Sequence, residues 1–216
     1  MERNINDYRL TKGISMAADC PQLFYEYREL EQNAGMIILK GCREHLKYFN
    51  NRRRLIQIFK YNFTHLYIHW EIFDLGGTYY ICRTKWYFET DSEKFRNPVE
   101  RLKYPKVIFP TITCKSSVLR EEFINKSIEQ IMKSPINPIS FEKKQDFCNV
   151  RYEIIINDNT ENKKHIFPDD GYKHGWDYLY GFVSDIEEIT DNKFCWSQGA
   201  IIMASTGDLY GFILLF

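Results

Sequence analysis

The sequence predicts an α+β fold, an antiparallel sheet built on a central meander with a few helices packed against it. Three observations carry that expectation. From Phe63 to Phe88 apolar residues recur at every second position, the period of a strand with one buried face. Two other segments carry apolar residues at helical spacing, separate from the strands, as α+β proteins do. No run of alternating strands and helices with Gly-rich joins suggests a nucleotide-binding α/β sheet. At 216 residues the chain suits one domain over 1–216, and Pro135 to Pro138 marks a hinge, so that 134–140 is where two fused halves would join.

Taken in order, residues 1–18 are polar and unpatterned, a loose arm. Pro21 is a favoured first helical residue, Leu23, Tyr27, Leu30 and Ala34 make a stripe, and Gly35 should close the helix. Met36 to Leu39 then fits a short buried strand. Residues 43–54 are basic, with Asn50-Asn51 as a turn, and Leu55 to Tyr61 reads as the strand that opens a meander over about 54–89. Thr90 to Pro105 is charged and aperiodic, a long connection. Lys106 to Thr113 reads as another strand, at an edge because of Pro110. Ser116 or Ser117 should cap a second helix carrying Ile124, Ile128 and Ile131 and stopping before Pro135. Val150 to Ile156 is a β-branched strand ending in the hairpin chemistry of Asn157-Asp158-Asn159. Residues 167–177 form a polar, aromatic loop, and the last 23 residues hold an apolar hairpin with Thr206-Gly207 at its turn.

The meander's central hairpin has a register that can be argued. Leu66, Ile68, Trp70 and Ile72 alternate with His65, Tyr67, His69 and Glu71, and after Gly76-Gly77 the alternation resumes with Tyr80, Cys82, Thr84 and Trp86. A two-residue Gly76-Gly77 turn would set Trp70 against Arg83 and Ile68 against Lys85, with charges on the apolar side. A three-residue loop over Leu75 to Gly77 instead pairs Trp70 with Cys82 and Ile68 with Thr84, and is preferred here. Tyr67, His69, Glu71, Arg83 and Lys85 would then share the opposite face.

Composition bounds the function. The aromatic share of 16% favours an ordered, partner-binding protein. Formal net charge is zero, yet residues 1–110 carry 18 Lys and Arg against 13 Asp and Glu, while the remainder carry 11 against 16. Such balance argues against a general nucleic-acid coat protein and allows a local basic patch. The segment Met1 to Asp7 lacks the apolar core of a signal peptide, and no apolar run is long enough to span a bilayer, so a soluble cytoplasmic protein is expected. Six Cys, 22 to 47 residues apart and without a C-x-x-C pair, suggest reduced thiols rather than a zinc site.

Candidate chemistry is thin. Cys148, His165 and Asp169 or Asp170 have the order of nucleophile, base and orienter, but six Cys and five His yield such triples by chance. Asp169, Asp170, His174 and Asp177 could hold a divalent cation, yet they match neither a calcium loop nor a zinc helix, and a turn-forming loop is the simpler reading; no metal and no cofactor are expected. Glu71 with Arg83 and His69 could form an acid-base cluster on the sheet.

The strongest signal is basic. Between Lys40 and Lys60 there are seven Lys or Arg and one acid, with Tyr48 and Phe49 interleaved. The expected function is a non-enzymatic intracellular protein-binding module, of the immunity or inhibitor type, that meets one acidic protein partner and no membrane. Its contact residues would be Arg43, Lys47, Arg52, Arg53, Arg54, Tyr67, His69, Arg83 and Lys85. The alternatives are a metal-dependent enzyme directed at nucleic acid or nucleotides, which would use the same basic stretch, and a structural or assembly subunit.

Overall fold

Arg52–Tyr61 (β1), Leu66–Leu75 (β2), Tyr79–Trp86 (β3) and Ile112–Leu119 (β4) pair in chain order as an antiparallel meander. Arg151–Asn157 (β5) adds to the free side of β1, Asn162–Pro168 (β6) to β5, and the short Ala200–Ile202 (β7) to β4. The result is a seven-stranded sheet in the order β6-β5-β1-β2-β3-β4-β7. Among the described residues it is accompanied by the helices Pro21–Lys40 (α1), Phe88–Glu93 (α2), Glu121–Lys133 (α3) and Asp177–Asp191 (α4), so the protein is α+β. The computed structural model describes residues 21–40, 52–62, 65–95, 101–103, 109–134, 150–157, 162–169, 177–191 and 200–202. The arm, Arg43, Lys47, Cys148, the 170–176 loop and the Thr206-Gly207 hairpin lie outside them. Among the described residues no helix is long and apolar enough to cross a membrane.

Helices cover both faces of the sheet, and this decides its register. On one face Ile56, Ile58, Trp70, Ile72, Ile81, Ile154 and Phe167 meet Ile124 and Ile131 of α3 and Leu179, Phe182, Val183 and Ile186 of α4. On the other, Leu30, Ala34 and Ile38 of α1 pack on Trp86, Phe88, Phe95 and Ile112. A β-bulge at Leu55 lets both Leu55 and Ile56 enter the first core. The sheet also joins the two parts of the chain on either side of 135–149, since β5 pairs with β1.

Four expectations are corrected. The hairpin turn is Gly76-Gly77 alone, with Leu75 N donating to Thr78 O at 2.9 Å and both glycines at positive φ, 76° and 96°. Glycine takes both such positions without strain, which suits the tight hairpin turn. Trp70 therefore sits opposite Arg83 and Ile68 opposite Lys85. Charges on the Trp70 side would be disfavoured only if the other face were solvated, whereas Phe73, Cys82 and Thr84 on the second face are buried, as Trp70 is on the first. Arg83 and Lys85 thus lie on the opposite face from His69 and Glu71.

The other corrections concern boundaries. α1 does not stop at Gly35 but runs to Lys40, because Ile38 extends the Leu30 and Ala34 stripe by one more turn into the core; Met36 to Leu39 is helix. The fourth strand is 112–119 rather than 106–113, and it lies inside the sheet between β3 and β7. Ser116 and Ser117 belong to its unbroken ladder with β3, so α3 starts later, at Glu121, without a side-chain cap. Finally, Asp177 to Asp191, for which no element was expected, is helix α4.

Candidate functional site

Where β2 begins and β3 ends, on the α4 side of the sheet, a cleft of about 480 Å³ opens. Trp70 and Arg83 form its floor, Lys85, Trp86, Tyr87 and Phe88 one wall, and Lys60, Glu187 and Asp191 the other. Strand alternation explains the floor: positions 81, 83 and 85 of β3 point the same way as 68, 70 and 72 of β2, so two cations come to lie beside a tryptophan.

Arg83 is 1% exposed, and its Nη1 donates to Asp191 Oδ1, the last residue of α4, whose side chain is 53% exposed. The buried Nε of Arg83 has no hydrogen-bond partner. Burial pushes the Asp191 carboxyl up, but the Arg83 hydrogen bond and the charges of Arg83, Lys85 and Lys115 outweigh this and hold it below its ordinary value. Lys85 Nζ lies 5.5 Å from the Tyr87 ring centroid, a cation–π contact at the mouth of the cleft.

Lys60, on the far wall, is locked. Its ammonium donates to Tyr152 Oη at 2.7 Å and lies 3.1 Å from Asp169 and 3.7 Å from Glu187. Burial lowers its pKa, yet the Tyr152 hydrogen bond and the nearby carboxylates reverse this and raise it above the ordinary lysine value. Tyr152 is pushed up to about 12, chiefly by burial. Neither group can exchange a proton readily near neutrality, so this cluster holds charge rather than moving protons.

The other proposed contacts fall elsewhere. Arg52, Arg53 and Arg54 stand at the opposite end of β1, paired with Leu75, Asp74 and Phe73 beyond the reach of β5. Arg54 Nη1 donates to Glu71 Oε1 at 3.1 Å, and Arg53 lies 3.7 Å from Asp74. His69 is buried: its Nδ1 donates to Ile38 O at 3.2 Å, its ring stacks on Phe59 at 4.3 Å, and its Nε2 is 4.0 Å from Glu71. Tyr67, half-buried at a bulge, accepts from Asn62 at 2.8 Å and packs edge-on to Phe88. The structure therefore gathers Tyr67, Arg83 and Lys85 along the cleft and separates them from His69 and the three arginines. Lys60, Trp70, Glu187 and Asp191 were not among the predicted contacts; Lys60 closes the basic stretch that begins at Lys40, and Glu187 and Asp191 lie too far along the chain to be linked to it.

The supposed acid-base cluster is divided between two faces, with Arg83 on one and His69 and Glu71 on the other. His165 belongs to the core, where Nε2 donates to Ile131 O at 3.1 Å, and burial followed by the charge of Lys163 lowers its pKa. Asp169 faces Lys60 instead. Among the described residues no group of His, Cys, Asp or Glu is placed to hold a metal ion. Cys82 and Cys114 are buried thiols. No family model, no curated protein and no solved structure matches the chain.

Proposed function

We propose that the protein is a non-catalytic, cytoplasmic binding module that recognises one acidic protein partner, in the manner of an immunity or inhibitor protein. The observation that carries this reading is the rim at the Gly76-Gly77 end of the sheet. The strand pairings align Arg52 and Arg54, Leu75, Tyr80 and Val118 along one face there, with Arg53 on the other. Arg52 and Arg53 are exposed, and Val118 is 59% exposed. Guanidinium groups beside an aromatic ring and an exposed aliphatic residue are the composition of a protein interface, and Arg54 is already held in place by Glu71, which lowers the entropy lost on binding.

The test uses Arg52→Ala/Arg53→Ala and leaves Arg54 intact, because Arg54 neutralises buried Glu71. Wild-type protein should retain one stoichiometric acidic protein from the native host, and the double variant should associate with it about tenfold more slowly at unchanged urea midpoint. Tight, salt-sensitive binding to random-sequence DNA or RNA, lost in the variant, would overturn the proposal in favour of a nucleic-acid-directed protein.

A further inference from the structure

We propose that the cleft beneath the end of α4 binds a monoanionic carboxylate carried on an apolar body, and that Asp191 occupies the carboxylate position on Arg83 until the ligand displaces it. The site lies at the opposite end of β1 from Arg52 and Arg53, so it does not depend on the rim's function.

Three features argue for it. First, the pair is asymmetric. Arg83 is buried beneath a carboxylate that is itself half in solvent, so an outward rotation of Asp191 leaves that carboxylate hydrated and uncovers a guanidinium that a second carboxylate can pair. A guanidinium carries five donors in a planar fork, and the Nε of Arg83 is buried in the cleft floor without an acceptor. An incoming carboxylate can take Nε together with a terminal nitrogen in the bidentate arrangement that one Asp191 oxygen on Nη1 does not make.

Second, Asp191 sits at the C-terminus of α4, the negative end of the helix dipole, where a carboxylate is unfavourable unless cations hold it. Lys85 and Lys115, with Arg83, provide more positive charge around it than one carboxylate neutralises. Third, the remaining walls suit the rest of such a ligand. Trp70, Tyr67 and Tyr87 offer apolar surface, and about 480 Å³ is the volume of a small-molecule site. Lining charge limits the ligand to one negative charge: Lys60, Arg83 and Lys85 are balanced by Glu89, Glu187 and Asp191. A carboxylate replacing Asp191 keeps that balance, whereas a phosphate dianion would add an uncompensated charge beside two glutamates.

The test is a titration of the full chain with phenylacetate, and with benzyl alcohol as the neutral control, read by the NMR shifts of the tryptophan indole N–H groups. Phenylacetate should shift the Trp70 signal saturably and leave that of Trp86, held on Asp91 on the other face, in place, and benzyl alcohol should shift neither. Asp191→Asn removes the competitor's charge and weakens its hold on Arg83, so it should tighten phenylacetate binding, by up to about tenfold if the free site is open about one tenth of the time. Lys85→Met, at a half-buried wall position that leaves the Arg83 floor intact, should weaken binding several-fold without unfolding the protein. A blocked peptide, acetyl-Phe-Glu-amide, separates the sources: tighter binding than phenylacetate assigns the site to an acidic side chain of a protein, and weaker binding to a free small acid. Equal response to phenylacetate and benzyl alcohol, or equal affinity in wild type and Asp191→Asn, would overturn the proposal.

Discussion

Two aspartates sit near the two sides of the β3–α2 junction and are used in opposite ways. Asp91 in α2 is completely buried, and it accepts from Trp86 Nε1 at 2.8 Å, Lys94 Nζ at 2.8 Å, Thr111 N at 2.6 Å and Thr111 Oγ1 at 2.7 Å. Asp191, by contrast, is half exposed and joins a buried arginine that keeps a donor unpaired. A buried carboxylate whose lone pairs are all engaged fixes structure: here it ties the end of β3, α2 and the approach to β4 into one unit. A buried cation under a single exposed carboxylate leaves room for exchange. Completeness of hydrogen bonding, more than burial or charge, separates the structural polar site from the candidate binding site.

The largest effect should come from breaking the complete network. Asp91→Ala strands the Trp86 and Thr111 donors and the Lys94 charge, and should cost about 3 to 5 kcal/mol in urea unfolding, a large fraction of the stability of a domain this size. A loss below about 1 kcal/mol would mean that water replaces the carboxylate, and the contrast with Asp191 would collapse.

Next in size is the turn that sets which residues share the cleft. Nothing lies within 4 Å of a Cβ built on Gly76 or Gly77, so substitution there meets no steric obstacle and tests backbone conformation alone. Gly76→Ala should cost about 1 to 2 kcal/mol from the left-handed conformation. A neutral result would favour the longer loop, which would move Arg83 away from Trp70 and dismantle the floor of the cleft.

How much of this was legible follows from the range of the interactions. The Leu30 and Ala34 stripe and the alternation from Leu66 to Ile72 are local, and both predicted the elements they belong to. Register was not, because alternation identifies faces only when one of them is wet, and α1 covers the second face around His69 and Thr84. Ser116 looked like a cap because side-chain chemistry is local, while the ladder that recruits it into β4 is not. Asp91 sits in a charged stretch that reads as connection, and its principal partner Thr111 is 20 residues away. Arg83 was placed among the contact residues, but its role is set by Asp191, 108 residues further on, at the end of a helix whose Leu179, Phe182, Val183 and Ile186 stand at helical spacing and were legible, while the pairing of its last residue with β3 was not.

The cleft's other wall is intermediate. Lys60 and Tyr152 hydrogen-bond one another, and Tyr152 Oη also donates to Glu187 at 3.3 Å. Tyr152→Phe should cost about 1 kcal/mol at neutral pH, one net hydrogen bond. A tyrosine whose pKa is raised on folding keeps its proton where the unfolded chain has lost it, so stability should fall as pH rises from about 10.0 to about 12. That alkaline loss should be shallower in Tyr152→Phe; an identical slope in both proteins would place the titration elsewhere.

The smallest effect is expected at Asp191, and it is the sharpest test of the comparison because Asp91→Asn and Asp191→Asn make the same isosteric change. At Asp91 the amide turns an acceptor into a donor that faces the donors of Thr111, Trp86 and Lys94, which cannot all be satisfied. At Asp191 the amide oxygen can still accept from Arg83 Nη1, and the lost charge was shared with solvent, so the change weakens one hydrogen bond without breaking it and should cost under about 1 kcal/mol. It also removes a negative charge from a helix C-terminus, which offsets part of even that loss. The two Asn variants should therefore differ clearly in urea midpoint. If Asp191→Asn were as destabilising as Asp91→Asn, Arg83 would be sealed from the cleft and dependent on its one carboxylate, and the site would be structural rather than exchangeable.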